Sequence, residues 1–116
     1  MKNLITKAFL TSILAFFLVA NAIAGEVMDR ILAKGELVVG TTGTQVPFTA
    51  KAKAGGVIGM DIDLAKLIAV NMGVKVKFET MPFAELLPKL EAGKIDLVLS
   101  GMTMTLQRNR KVAFVG

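Results

Sequence analysis

Residues 61–79 read Asp61-Ile62-Asp63-Leu64-Ala65-Lys66-Leu67-Ile68-Ala69-Val70-Asn71-Met72-Gly73-Val74-Lys75-Val76-Lys77-Phe78-Glu79, and two periodicities meet in them at Gly73. Before it, Leu64, Leu67, Ile68 and Met72 recur at helical spacing, while Asp63, Lys66 and Asn71 fall elsewhere on the wheel. The spacing predicts a helix over 61–72. Asp61 is placed to accept from the first orphan N–H groups, Asp63 to complement the positive end of the dipole, and Gly73 to stop the helix. Beyond the glycine, Val74, Val76 and Phe78 alternate with Lys75, Lys77 and Glu79, which is the pattern of a half-buried strand. A helix handing over to a strand across one glycine is half of a βαβ unit.

Working outward, the other half lies upstream. A short helical lead-in, Glu26 to Ala33, ends at Gly35, and Leu37-Val38-Val39 then reads as a buried strand running into a Thr/Gly loop, Gly40 to Thr44. Lys51 to Gly59, with Gly55-Gly56 at its centre, reads as a hairpin or loop with a glycine turn. Downstream, a second helix sets Phe83, Leu86, Leu87 and Leu90 on one face and ends at Gly93; Pro88 inside it costs a backbone hydrogen bond unless it lies near the first turn. Asp96 to Ser100 contains the unbroken run Leu97-Val98-Leu99, expected of a strand covered on both faces. Thr105 reads as the N-cap of a short helix through about Lys111, and Ala113-Phe114-Val115 begins another strand. Alternating strands and helices with right-handed crossovers imply an α/β layer with a largely parallel sheet. Internal repeats and low-complexity linkers are absent.

The first residues carry an address. Lys2 and Lys7 precede an almost wholly apolar stretch from Ala8 to Ala20, and Ala22-Ile23-Ala24 is a small-x-small site that a signal peptidase cuts, leaving Gly25 as the new N-terminus. These are the parts of a secretory signal peptide. The uncharged run from Ala8 to Gly25 is 18 residues interrupted by Thr11, Ser12 and Asn21, against about 20 apolar residues for a spanning helix. The expected division is therefore a signal peptide over 1–24 and one domain over 25–116, exported to the periplasm. With no Cys in the chain, neither a lipid-anchored Cys after the cut nor a disulfide is available.

Removing Lys2 and Lys7 with the signal lowers the net charge from +5 to +3. The mature chain lacks the dense basic runs and aromatic platforms of a nucleic-acid binder. His is absent as well as Cys, which removes the usual zinc and copper ligands and both the Ser-His and Cys-His nucleophile pairs. Asp61 and Asp63, two residues apart at a helix start, are more simply a cap and a first-turn charge than a metal or catalytic pair. No metal, cofactor or catalytic residue is expected.

The residues now assembled resemble the amino-acid-type (family 3) periplasmic solute-binding proteins. The resemblance rests on Leu37-Val38-Val39-Gly40-Thr41, Pro47-Phe48, Gly59-Met60-Asp61-Ile62-Asp63-Leu64, Leu86-Leu87-Pro88-Lys89-Leu90 with Gly93-Lys94-Ile95-Asp96-Leu97, and Ser100-Gly101-Met102-Thr103-Met104-Thr105-Leu106-Gln107-Arg108. The last is close to the family pattern S-G-M-T-I-T-x-E-R. The resemblance implies the first lobe of a type II periplasmic-binding-protein clamshell, with the ligand between two α/β lobes and the second lobe not represented. It also implies site residues. Arg108 matches the arginine that holds a ligand carboxylate, on the opening turn of a helix whose N–H groups and dipole add positive potential. Gly101 and Thr103 match positions that offer a backbone carbonyl and a hydroxyl with its N–H. Phe83 matches an aromatic that stacks on the ligand, although it equally fits the core face of its own helix. Thr42 stands where amino-acid binders often carry an acid for the α-ammonium; the loop Thr41-Thr42-Gly43-Thr44-Gln45 is neutral, so Thr42 and Gln45 can hydrogen-bond a ligand but cannot neutralise an ammonium.

The function implied is an extracytoplasmic receptor of an ABC importer that binds a small carboxylate-bearing solute, in particular a polar amino acid, and hands it to a membrane permease, as a monomer when full length. Two other readings use the same fold: a periplasmic enzyme resembling cyclohexadienyl dehydratase, and the ligand-sensing domain of a larger receptor. A lobe without its partner is expected to bind weakly or not at all and to be marginally stable.

Overall fold

The structure, a computed structural model, describes residue 3 and residues 25–115. The signal-peptide features (Lys2, Lys7, the apolar stretch and Ala22–Ala24) lie outside the described residues.

Strand β1 (Glu36–Thr41) is the axis of the fold. Every residue from Leu37 to Thr41 is buried, which a chain of β-branched and small residues with no polar alternation achieves only in the middle of a sheet. Helix α1 covers residues 25–34 ahead of it. A small antiparallel sheet follows, made of β2 (Thr44–Gln45), β3 (Thr49–Lys51) and β4 (Val57–Ile58). The turn at Gly55-Gly56 is the expected one: Ala52 N–H donates to the Gly56 carbonyl at 3.1 Å, and both glycines have positive φ. The pairing of β2 with β3 was not foreseen, since two residues carry no periodicity.

Helix α2 (Met60–Met72) then leads to β5 (Lys75–Thr80), which lies parallel to β1 with Leu37 opposite Val76 and Val39 opposite Phe78. Helix α3 (Phe83–Glu91) crosses back to the short β6 (Leu97–Val98), parallel to β1 on its other side, and α4 (Leu106–Asn109) follows. The main sheet has the order β5-β1-β6. On one face, Leu37 and Val39 meet Ile31 of α1 and Ala65 and Ala69 of α2. On the other, Gly40 brings β1 against Leu86 of α3 and Ile95, both fully buried. The result is helix, sheet, helix: the α/β lobe that the sequence implies.

Four expectations need correction. The inward stripe of α2 is Ile62, Ala65 and Ala69, with Ile68 and Met72 beside it; Leu64 and Leu67 are 46% and 59% exposed. The helix is apolar almost all round, so the wheel singles out no face, and the alanines win because they let the helix lie close on the sheet. Asp61 does not cap α2, whose N-cap is Gly59. Its carboxylate Oδ2 instead accepts the Gly101 N–H at 2.9 Å, 40 residues away. The Leu97–Leu99 run is half-buried rather than covered on both faces, because β6 is an edge strand. Residues 113–115 form no strand.

Other local readings agree with the structure. Gly73 takes φ 69° and its N–H bonds back to Val70. Pro88 lies in the second turn of α3, so that hydrogen bond is absent. Asp96 fastens β1 to the segment before β6: its N–H donates to the Val38 carbonyl (2.9 Å), Oδ2 accepts the Val38 N–H (3.0 Å), and Oδ1 accepts from Arg30 Nη2 (3.0 Å).

Candidate ligand-binding cleft

The carboxyl ends of parallel strands are where open α/β sheets bind ligands. Here β1 ends at Thr41-Thr42, β5 at Thr80, and the chain leaving β6 reaches Ser100. The backbone ties these ends together, with Met81 N–H donating to the Thr41 carbonyl and Leu99 N–H to the Gly40 carbonyl. A cavity of about 380 Å³ opens there. Thr42, Thr44, Gln45, Lys51 and the segment from Thr80 through Phe83 line it.

Behind its Thr42 and Gln45 lies a hydroxyl–amide network. Ser100, 1% exposed, accepts the Thr42 N–H through Oγ at 3.1 Å and donates to Gln45 Oε1 at 2.7 Å. The Thr42 hydroxyl lies 3.0 Å from Ser100 Oγ, donates to Gln45 Oε1 at 3.3 Å, and accepts the Thr44 N–H at 3.3 Å. Below it, Thr41 Oγ1 donates to Thr49 Oγ1 at 2.9 Å, both residues fully buried. Such a network fixes side-chain directions, because misaligning one buried hydroxyl leaves others unpaired.

Arg108 stands at the rim. Its guanidinium lies 5.3 Å from the Phe83 ring centroid, a cation–π distance, and Nη1 donates to the Thr103 carbonyl at 2.8 Å. Thr105 caps α4 as foreseen, its hydroxyl accepting the Arg108 N–H at 3.2 Å. The helix is only four residues long, so its dipole adds little and the guanidinium itself must supply the positive potential.

Of the five expected site residues, Thr42 and Phe83 line the cleft, and Arg108 joins it through Phe83. Phe83 is half-buried at the first position of α3 rather than packed in the core. Thr103 and Gly101 do not line this cleft. Thr103 is exposed, with its carbonyl engaged by Arg108. Gly101, at φ 56°, lines a separate hollow of about 440 Å³ beside Phe48 and Asp61. Ser100, Thr80 and Lys51 were missed. A small polar residue ending an apolar parallel strand is a signal for Ser100; nothing in the hairpin sequence points to Lys51.

A sequence profile of the bacterial extracellular solute-binding proteins, family 3, matches residues 37–116. A probable amino-acid ABC transporter-binding protein of Haemophilus influenzae is 33% identical over 97% of this chain and 43% of its own length. The histidine-binding periplasmic protein of Escherichia coli K12 is 37% identical over 66% of this chain and 29% of its own. Cyclohexadienyl dehydratase of Pseudomonas aeruginosa is 33% identical over 75% of this chain and 32% of its own. The chain thus spans less than half the length of the curated relatives it matches. Among solved structures, an ancestral cationic amino acid solute-binding protein superposes with TM-score 0.73 at 46% identity, over 75% of this chain and 38% of its own. The arginine-bound form of domain 1 from TmArgBP gives 0.73 at 41%, over 75% of this chain and 69% of its own.

Proposed function

The chain belongs to the bacterial extracellular solute-binding proteins, family 3, and from that premise we propose that it is the first lobe of an exported receptor, delivering a small carboxylate-bearing solute to the permease of an ABC importer. Residues 1–24 serve as its signal peptide, cut after Ala24, and residues 25–116 act in the periplasm. The relatives' own names, periplasmic and amino-acid-binding, support the compartment and the solute class.

One observation carries the reading: Arg108 holds its guanidinium over Phe83 at the mouth of a polar cleft and pairs with no carboxylate among the described residues. A guanidinium placed this way binds a carboxylate through two parallel hydrogen bonds. Phe83 offers a flat apolar wall, and Thr42 and Gln45, held from behind by the buried Ser100, form a rigid polar lining that penalises a mismatched solute. Thr103 and Gly101, which lie outside this cleft, are assigned to the ligand on the family resemblance alone. Selection and release, not bond-breaking, are the work of such a site. The TmArgBP domain 1, arginine-bound, encourages testing a single lobe directly, against the expectation of weak binding.

Thermal-shift and calorimetric titration with amino acids and small organic acids test this. At least one carboxylate solute raises the midpoint, and Arg108→Ala weakens its binding by ten-fold or more with the unliganded midpoint within about 1 °C, because a charge-assisted pair of hydrogen bonds is removed from an exposed helix. The reading fails if no solute shifts the midpoint while prephenate or arogenate is turned over, the outcome that the dehydratase relative makes worth measuring.

A further inference from the structure

We propose that Lys51 makes this cleft select a solute that is anionic at both ends, a dicarboxylate, over one with a cationic side chain; the inference rests on the receptor reading above and names its solute class. Among the described residues, Lys51 is the only ionisable one that lines the cleft, whose other polar walls are Thr42, Thr44, Gln45 and Thr80; it also borders a neighbouring hollow beside Gly55 and Gly56. It makes no ion pair among the described residues; the lysines that do are Lys34, Lys66, Lys77 and Lys111. Its stem is laid down in a defined direction. A Cβ built on Gly43 would meet Lys51 Cγ at 3.2 Å and Cε at 3.7 Å, so the lysine runs along the loop that carries Thr42 and Thr44. Gly43 itself has φ 69° and is buried, which keeps that loop in a shape few other residues would allow.

Two unpaired cations therefore flank the cleft, Lys51 from the hairpin and Arg108 across the Phe83 ring. A cationic side chain on the solute finds no carboxylate in the lining and meets like charge. A second carboxylate finds an ammonium at Lys51 and hydroxyl donors beside it. Cations of one sign around a cleft also raise the local concentration of anions, an effect that falls with ionic strength. The predicted preference is opposite to the cationic solutes named for two of the structural relatives.

Calorimetry of the purified full chain with L-glutamate, succinate and L-arginine at low salt decides the matter. The expected order puts glutamate or succinate at least ten-fold tighter than arginine. Which of the two binds tells an acidic amino acid from a free dicarboxylic acid. Lys51→Glu should reverse the order, and Lys51→Met, which keeps the stem on Gly43, should abolish the dicarboxylate preference without favouring arginine. Arginine binding as tightly as glutamate and succinate, or an order unmoved by both substitutions, overturns the inference and leaves the receptor reading in place. If no carboxylate solute binds, the inference falls, and the receptor reading falls with it only if prephenate or arogenate is turned over.

Discussion

Asp96 ties the lead-in helix to the central strand of the lobe. Its side chain is 8% exposed and holds both the Val38 N–H and Arg30. The Arg30 pair is worth little, since Arg30 is half in water. The bond to Val38 matters more, because Val38 is buried and its N–H would otherwise lose its partner. Asp96→Ala is expected to lower unfolding stability by about 2–3 kcal/mol in urea titration, and Asp96→Asn, which keeps an acceptor, by about half as much. A loss under 0.5 kcal/mol for the alanine variant would show that water replaces the carboxylate. At this scale the sequence marked Asp96 only as part of a matched block. The same limit explains the site: Arg108 and Thr42 were singled out through the family resemblance, and local pattern supplied only the Thr105 cap three residues before Arg108. The Asp61–Gly101 bond left no local pattern because its partners are 40 residues apart, and Lys51 left none because the segment that completes its cleft, Thr80 to Phe83, comes about 30 residues later.

The elements were legible wherever one periodicity dominated. β1, β5, the glycine turn and the Thr105 cap all stand where the residues put them, within a residue or two. Two kinds of feature escaped. β2 is too short to have a period, and β6 has the composition of a central strand but sits at an edge, a property of the neighbours it has rather than of its own residues. The face of α2 was misread for a third reason, since a helix apolar on most sides leaves orientation to the fit against the sheet. That correction can be tested. Leu67→Lys should change stability by less than about 0.5 kcal/mol, because the side chain is mostly in water. Ala65→Leu should cost about 1–3 kcal/mol, because Ala65 is fully buried against β1 and an added isobutyl group has no room. If the Leu64–Leu67 face were the packed one, the two results would be exchanged. Thermal or urea unfolding of both variants decides between them.

Over the whole molecule, stability and binding are unevenly shared. β1 is bonded on both edges and covered on both faces, so its amides open only when the lobe unfolds. The chain from Gly101 to Asn109 is held differently: by the Gly101–Asp61 bond, the Thr105 cap, and Arg108 reaching Thr103 and Phe83. None of the α4 residues is buried. Few buried apolar contacts and exposed hydrogen bonds mean low local opening free energies. In native-state hydrogen exchange, Val38, Val39 and Gly40 should therefore be the slowest amides, and 106–109 should exchange orders of magnitude faster. If Arg108 holds the solute as proposed, a bound solute should slow the amides of 103–109 more than those of α2, whose buried residues pack on β1 and do not line the cleft. Equal slowing everywhere would mean that the solute only shifts global unfolding, which at a hundred-fold excess over Kd amounts to about 2.7 kcal/mol. A larger effect confined to 103–109 would instead locate the recognition in the segment that the rest of the lobe holds least firmly, where ordering on binding is what a closing clamshell needs from its first half.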